Sequence, residues 1–180
     1  MKSLIYGALF AMIGAVGVAQ AQTSKPANVI DMPPANWLFV QVADQVTIDE
    51  KTITLKGVAP QTLMFTDRPE RMTGDAPTPA FVKFWNSSKS DFQKDPPNAT
   101  LAVTVDGKAS TTVVELTDPQ LNGDTLVYTY RVLGGDPLPK TGTNANLFID
   151  WWYGPGWGPG WGGGYCWRGP YGGLHCRPAW

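Results

Sequence analysis

Through the middle of the chain, apolar residues recur at every second position, in short runs broken by charged or Gly/Pro-containing turns. Trp37 to Val42 (WLFVQV) is apolar and β-branched enough for a strand. In VTIDEKTITL, Val46 and Ile48 alternate with polar residues, and so do Ile53 and Leu55 beyond the charged Asp49-Glu50-Lys51 turn. That pattern predicts a hairpin with one dry face and one wet face. Thr62 to Thr66 (TLMFT) is a further short strand. Leu101 to Val105 and Ala109 to Leu116 are alternating runs joined by Asp106-Gly107, a dipeptide suited to a tight turn. Asp118-Pro119 reads as the start of a longer turn that closes near Asn122-Gly123-Asp124. After it, Leu126, Tyr128, Tyr130 and Val132 share one parity, and Leu147 to Asp150 offers a last strand.

One segment departs from period two. In DAPTPAFVKFWNSS, Thr78 is a candidate cap and Pro79 suits the first helical turn, where its missing N–H is not needed. Phe81, Phe84 and Trp85 then fall at i, i+3 and i+4, on one side of a short helix and facing a core. Consecutive strands with short turns and a single helix predict a mainly β fold, an antiparallel β-sandwich-like domain. Its expected bounds are residues 36–150, after a Pro-containing extended segment at 22–35 with no packed element.

The ends of the chain differ in kind. MKSLIYGALFAMIGAVGVAQAQTS has a positive flank at Lys2, an apolar run from Leu4 to Val18, and Ala19-Gln20-Ala21 as a small-x-small cleavage pattern. This is the anatomy of a secretory signal peptide over residues 1–21, and the run is short for a bilayer span. The expected location is periplasmic or secreted, at a bacterial cell envelope, with no transmembrane span after signal cleavage. Lys2 is the one charged residue in 1–21, so cleavage takes the formal net charge from −1 to −2. Basic residues are scattered without a stripe to neutralise phosphates, which argues against a nucleic-acid partner.

Residues 151–180 form a Gly/Trp-rich tail holding six of the eight tryptophans, both cysteines and the single histidine. Cys166 and Cys176 in an exported chain predict one disulfide closing a small loop. The competing use of Cys166, His175 and Cys176 as metal ligands supplies only three donors, two of them neighbours, where a closed zinc site takes four. No metal or cofactor is expected. Glycine at this density leaves aromatic rings partly exposed, which marks a binding surface. Trp157, Trp161, Tyr165, Trp167 and Tyr171 are the candidate binding residues, with envelope polysaccharide, peptidoglycan or a membrane surface as partners. Two alternatives stand beside this: the tail covers an apolar face or edge of the β domain, or it is a disordered extension.

Chemistry in the body concentrates at TLMFTDRPERMTG. There Arg68 and Arg71 are candidate anion binders, and Asp67 or Glu70 a possible acid–base group. Charges this close in sequence also serve simply to pair with each other around a turn. GxSxG elbows and P-loop endings are missing, and paired carboxylates sit in hydrophilic turns. The strings LMFTDRPER, FVKFW, DPPNATL, VVEL and GDTLVYTYRVL, spanning Leu63 to Leu133, resemble a family of exported bacterial proteins with no assigned activity. That resemblance implies a shared fold and export, and transfers no catalytic residue. The leading expectation is a non-catalytic envelope-binding protein. The alternative is a small enzyme or metal-handling protein using Asp67, Arg68, Glu70 and Arg71, or the Cys166/His175/Cys176 cluster.

Overall fold

The alternating runs become long strands, and the ladder they build divides at one of them. The computed structural model describes residues 29–33, 35–88, 90–154, 164–168 and 173–178. In chain order the elements are β1 (Val29–Asp31), β2 (Ala35–Ile48), β3 (Thr52–Val58), β4 (Gln61–Thr66), β5 (Met72–Pro77), α1 (Thr78–Trp85), β6 (Asn98–Val105), β7 (Lys108–Asn122), β8 (Thr125–Gly135), β9 (Thr141–Gly154), β10 (Gly164–Arg168) and β11 (Leu174–Pro178). The fold is mainly β and mostly antiparallel, as the patterning implies, and α1 is the one helix among the described residues.

Strand β2 is the branch point. Along one edge its first half pairs with β4 (Trp37–Val40) and its second half with β3 (Ala43–Ile48). Its other edge pairs with β9 from Ala35 to Thr47. From β3 the ladder passes to β8, β7, β6 and back to β9, so six antiparallel strands close into a ring. Closure removes edges that would otherwise template aggregation. From β4 a second branch runs outward through β5, β11 and β10 to β1.

The ring is filled by the apolar parity of its strands. Ala43, Val46 and Ile48 of β2 meet Ile53 and Leu55 of β3, Leu126 and Tyr128 of β8, and Leu101 and Leu147 from β6 and β9, all buried. Helix α1 adds Phe81, Phe84 and Trp85, buried as the i, i+3, i+4 spacing predicts. Trp85 stacks 4.5 Å from Phe92 and 5.4 Å from Tyr128, and Phe81 lies 4.8 Å from Phe39, between ring centroids. Each such pair contributes about 0.5–1.5 kcal/mol beyond its area burial. The indole N–H groups of Trp37 and Trp85 are buried without a partner among the described residues, a cost that this packing offsets.

Four local expectations are refined. Asp106 and Gly107 both take positive φ (50° and 75°), the geometry that favours Asp-Gly in a two-residue hairpin. Asp118-Pro119 does not open a turn: β7 runs on to Asn122, and the pair forms a register shift against β8 between Thr117 and Gln120. Thr78 begins the helix but does not cap it; its hydroxyl turns inward and donates to the Ala59 carbonyl at 2.8 Å. Finally, Val29–Asp31 in the extended N-terminal segment pairs with Tyr165–Trp167.

Candidate functional site

The two regions singled out in the sequence, the Asp67–Arg71 turn and the cysteine-closed tail, become neighbours through β5. Cys166 and Cys176 are disulfide-bonded and stand directly opposite each other, joining β10 to β11. Both are fully buried. With both sulfurs in that bond, neither offers a thiolate to a metal. Strand β11 then lies parallel to β5, with Leu174 opposite Met72, His175 opposite Thr73 and Cys176 opposite Gly74. The β4–β5 turn therefore ends where β11 begins, and Arg168 sits across from Leu174 at that same end.

Opposed residues in a ladder project to the same side of the sheet. On the inner side of the hairpin are the cystine, Gly74 and Met64, packed toward the core. The outer side carries Tyr165 and Trp167 on β10, with His175 and Arg177 opposite them on β11. Tyr165 and Trp167 ring centroids are 5.9 Å apart at 37°, and Trp167 and His175 are 5.9 Å apart at 33°. Three rings thus form one gently tilted row. His175 Nδ1 is 3.0 Å from the Thr73 hydroxyl, which fixes the imidazole against β5. Arg177 forms an ion pair with Asp75 at 3.2 Å. These two contacts tie the outer face of the hairpin to the body of the protein.

The turn itself is exposed from Asp67 to Arg71. The Asp67 carboxylate accepts the Arg68 backbone N–H at 2.7 Å, and the Asp67 carbonyl accepts the Arg71 N–H at 3.0 Å. Asp67 is thus engaged in shaping the turn. Among the described residues, neither the Arg68 nor the Arg71 guanidinium makes an ion pair. Both carboxylates of this segment, Asp67 and Glu70, are exposed.

Trp157, Trp161 and Tyr171 lie outside the described residues. The sequence placed Tyr165 and Trp167 in a Gly/Trp-rich tail without strand regularity; the structure places them on β10, opposite β11, which carries His175, a residue weighed in the sequence only as a metal or catalytic group. The signal that could have revealed the pairing is the i, i+2 spacing of Tyr165 and Trp167 around Cys166, matched by His175 and Arg177 around Cys176. A separate open hollow of about 610 Å³, lined by Thr47, Thr104, Asp106, Lys140, Thr141 and Thr143 among others, includes none of the predicted site residues. Among the described residues no helix is long and apolar enough to cross a membrane, and no group of three His, Cys, Asp or Glu side chains is placed to hold a metal ion. Compared with known proteins, the chain matches no family model, no curated protein and no solved structure.

Proposed function

We propose that this is a non-catalytic exported protein that binds cell-envelope material through the outer face of its cysteine-closed hairpin. The observation that carries this reading is the row of Tyr165, Trp167 and His175, three rings held on one face of a two-stranded element. Ring faces offer dispersion and C–H/π contact, and the indole and phenol keep polar tips for water or ligand. Their mounting matters as much as their type. The disulfide, the β5 ladder, the His175–Thr73 contact and the Arg177–Asp75 pair hold the rings before any partner arrives. Little side-chain entropy then remains to be lost on binding. The leader pattern and the disulfide support an oxidising compartment outside the cytoplasm.

Deleting the whole tail is a poor test, because it would bare the β5 edge and the buried residues that the hairpin covers. Point substitution separates the roles. Tyr165→Ala with Trp167→Ala is expected to lower retention by sedimented envelope fractions about ten-fold or more while the disulfide and the far-ultraviolet spectrum stay unchanged. Full retention by the folded double variant would reject this assignment of the site.

A further inference from the structure

Strands β10, β11 and β5 present six outward side chains as a block of two rows. In the first row Tyr165 stands opposite Arg177, which is paired with Asp75 at 3.2 Å. In the second Trp167 stands opposite His175, whose Nδ1 is 3.0 Å from the hydroxyl of Thr73, its partner on β5. With strands about 4.8 Å apart and every second residue facing outward, the block measures about 10 Å by 7 Å. Phenol, indole, imidazole and guanidinium are all planar groups. Among the described residues the Tyr165 hydroxyl, the Trp167 indole N–H, His175 Nε2, and Arg177 Nη1 and Nε make no hydrogen bond. The Arg177 side chain is 51 % exposed and that of Asp75 26 %. Ring faces and unspent polar atoms therefore share one small patch.

We infer that this block is a platform for a neutral, β-linked polysaccharide chain, with pyranose rings lying on Trp167 and Tyr165 and their hydroxyls engaged by Arg177 and Asp75. This deepens the proposed function, on which it rests, by choosing one of the envelope materials. Three features select the occupant. The first is the mixture of groups. A pyranose with equatorial hydroxyls carries C–H bonds on its faces and hydroxyls round its rim. The C–H bonds suit the electron-rich faces of indole and phenol. Each rim hydroxyl both donates and accepts, and here a carboxylate that only accepts lies beside a guanidinium that only donates. Their pairing holds both next to the rings before the ligand arrives. The second feature is charge. Arg177 and Asp75 balance each other, and in the adjoining turn Asp67 and Glu70 balance Arg68 and Arg71, so the face has no surplus for a polyanion. The third is extent. The Arg177–Asp75 and His175–Thr73 pairs separate the rings from Leu63 and Phe65 on β4. An acyl layer would have to bury those fixed polar groups, at a cost, whereas a narrow glycan chain covers rings and polar groups together.

The test is isothermal titration of the exported protein with β-1,4-linked hexamers of glucose and of N-acetylglucosamine, in parallel with polygalacturonate and phosphatidylcholine vesicles. Binding of at least one hexamer is expected, nearly unchanged between low and high salt. It should fall about ten-fold in Trp167→Ala, which removes the ring face, and about as much in Arg177→Met, which keeps the apolar stem and removes the donors. Circular dichroism and the intact disulfide show that the variants fold; Trp167→Phe, with its smaller ring, gives an intermediate loss if the alanine variant does not fold. Hexamer binding that survives the folded Trp167 variant overturns the platform, and binding that ignores Arg177→Met overturns the role of the polar pair. Tighter binding of polygalacturonate or vesicles than of either hexamer overturns the choice of a neutral glycan. If neither hexamer binds while Tyr165→Ala with Trp167→Ala still loses retention by envelope fractions, the glycan assignment falls and the hairpin reading stands. Envelope retention untouched by that double variant overturns both.

Discussion

Gly74 and Cys176 face each other across the parallel β5–β11 ladder so closely that a methyl group on residue 74 would collide with the Cys176 carbonyl oxygen. The tail strand seats on the body because this position has no side chain. Gly74→Ala is expected to cost about 1–3 kcal/mol, the usual penalty for forcing volume into a packed contact. The loss should be local. Hydrogen exchange at the Leu174–Cys176 amides should rise sharply, with ring amides such as that of Leu116 little changed. Unaltered protection of β11 would show that the ladder accommodates the methyl group.

The disulfide acts within the same unit. Cys166→Ala with Cys176→Ala should destabilise the hairpin by about 2–3 kcal/mol, as expected for a ten-residue separation. Because both cysteines are fully buried, the native bond should resist reductant until the hairpin opens. Trapping thiols with a mass-shifting reagent checks this directly. Reduction as fast as that of a free dithiol would contradict the burial.

A chain of polar groups crosses the core. Tyr128 donates to the Gln41 side-chain oxygen at 2.8 Å, the Gln41 amide reaches the Thr62 hydroxyl at 3.2 Å, and Thr62 meets Thr78 at 3.2 Å. Burial pushes the Tyr128 hydroxyl pKa well above its ordinary value, so it stays a donor. Gln41→Ala strands partners on both sides and opens a void, for an expected loss of about 2–4 kcal/mol. Tyr128→Phe removes a single donor and should cost about 1 kcal/mol. Urea unfolding of both variants tests the ordering; equal losses would mean that Gln41 does not link the two sides.

Acid should weaken the exposed turns before the core. Backbone N–H donation from Lys51, with further bonds from Thr52, holds the Asp49 carboxyl below its usual range, and the Arg131 guanidinium does the same for Glu115. A folded-state pKa below the unfolded one adds stability that is present above the unfolded value and lost as pH falls through the folded value. Asp91 has the opposite sign: burial raises its pKa, so its ionised form penalises the fold at neutral pH and the penalty fades on acidification. Melting temperatures from pH 7 to pH 2 should show Asp49→Asn and Glu115→Gln below the parent at neutral pH, converging with it in acid. Asp91→Asn should start above the parent and converge from there. Differences that stay constant with pH would remove these carboxyls from the balance.

Much of the ring was legible in the chain because it depends on local rules. Ile53/Leu55 and Leu126/Tyr128 are buried by period two alone, and Phe81, Phe84 and Trp85 by helical spacing. Asp106-Gly107 announced its turn through the backbone conformation it permits. Asp118-Pro119 misled because a register shift uses the same residues as a turn, and which one forms depends on whether the partner strand continues. Strand β5 (MTGDAP) had no signal: it has little apolar alternation, and its Gly and Asp count against a strand until one sees β4 on one side and β11 on the other.

By itself the sequence determined the strand faces, the helix, and a cysteine pair close enough to join. Those follow from side-chain period and composition, which act over a few residues. Only the tertiary structure decided that β9 closes the ring on β2, that the tail hairpin extends the sheet beside β5, and that His175 comes to lie beside Trp167. Backbone ladders carry no residue code of their own. Which distant strands meet is set by how the whole chain buries its apolar parity, and no short stretch of sequence contains that.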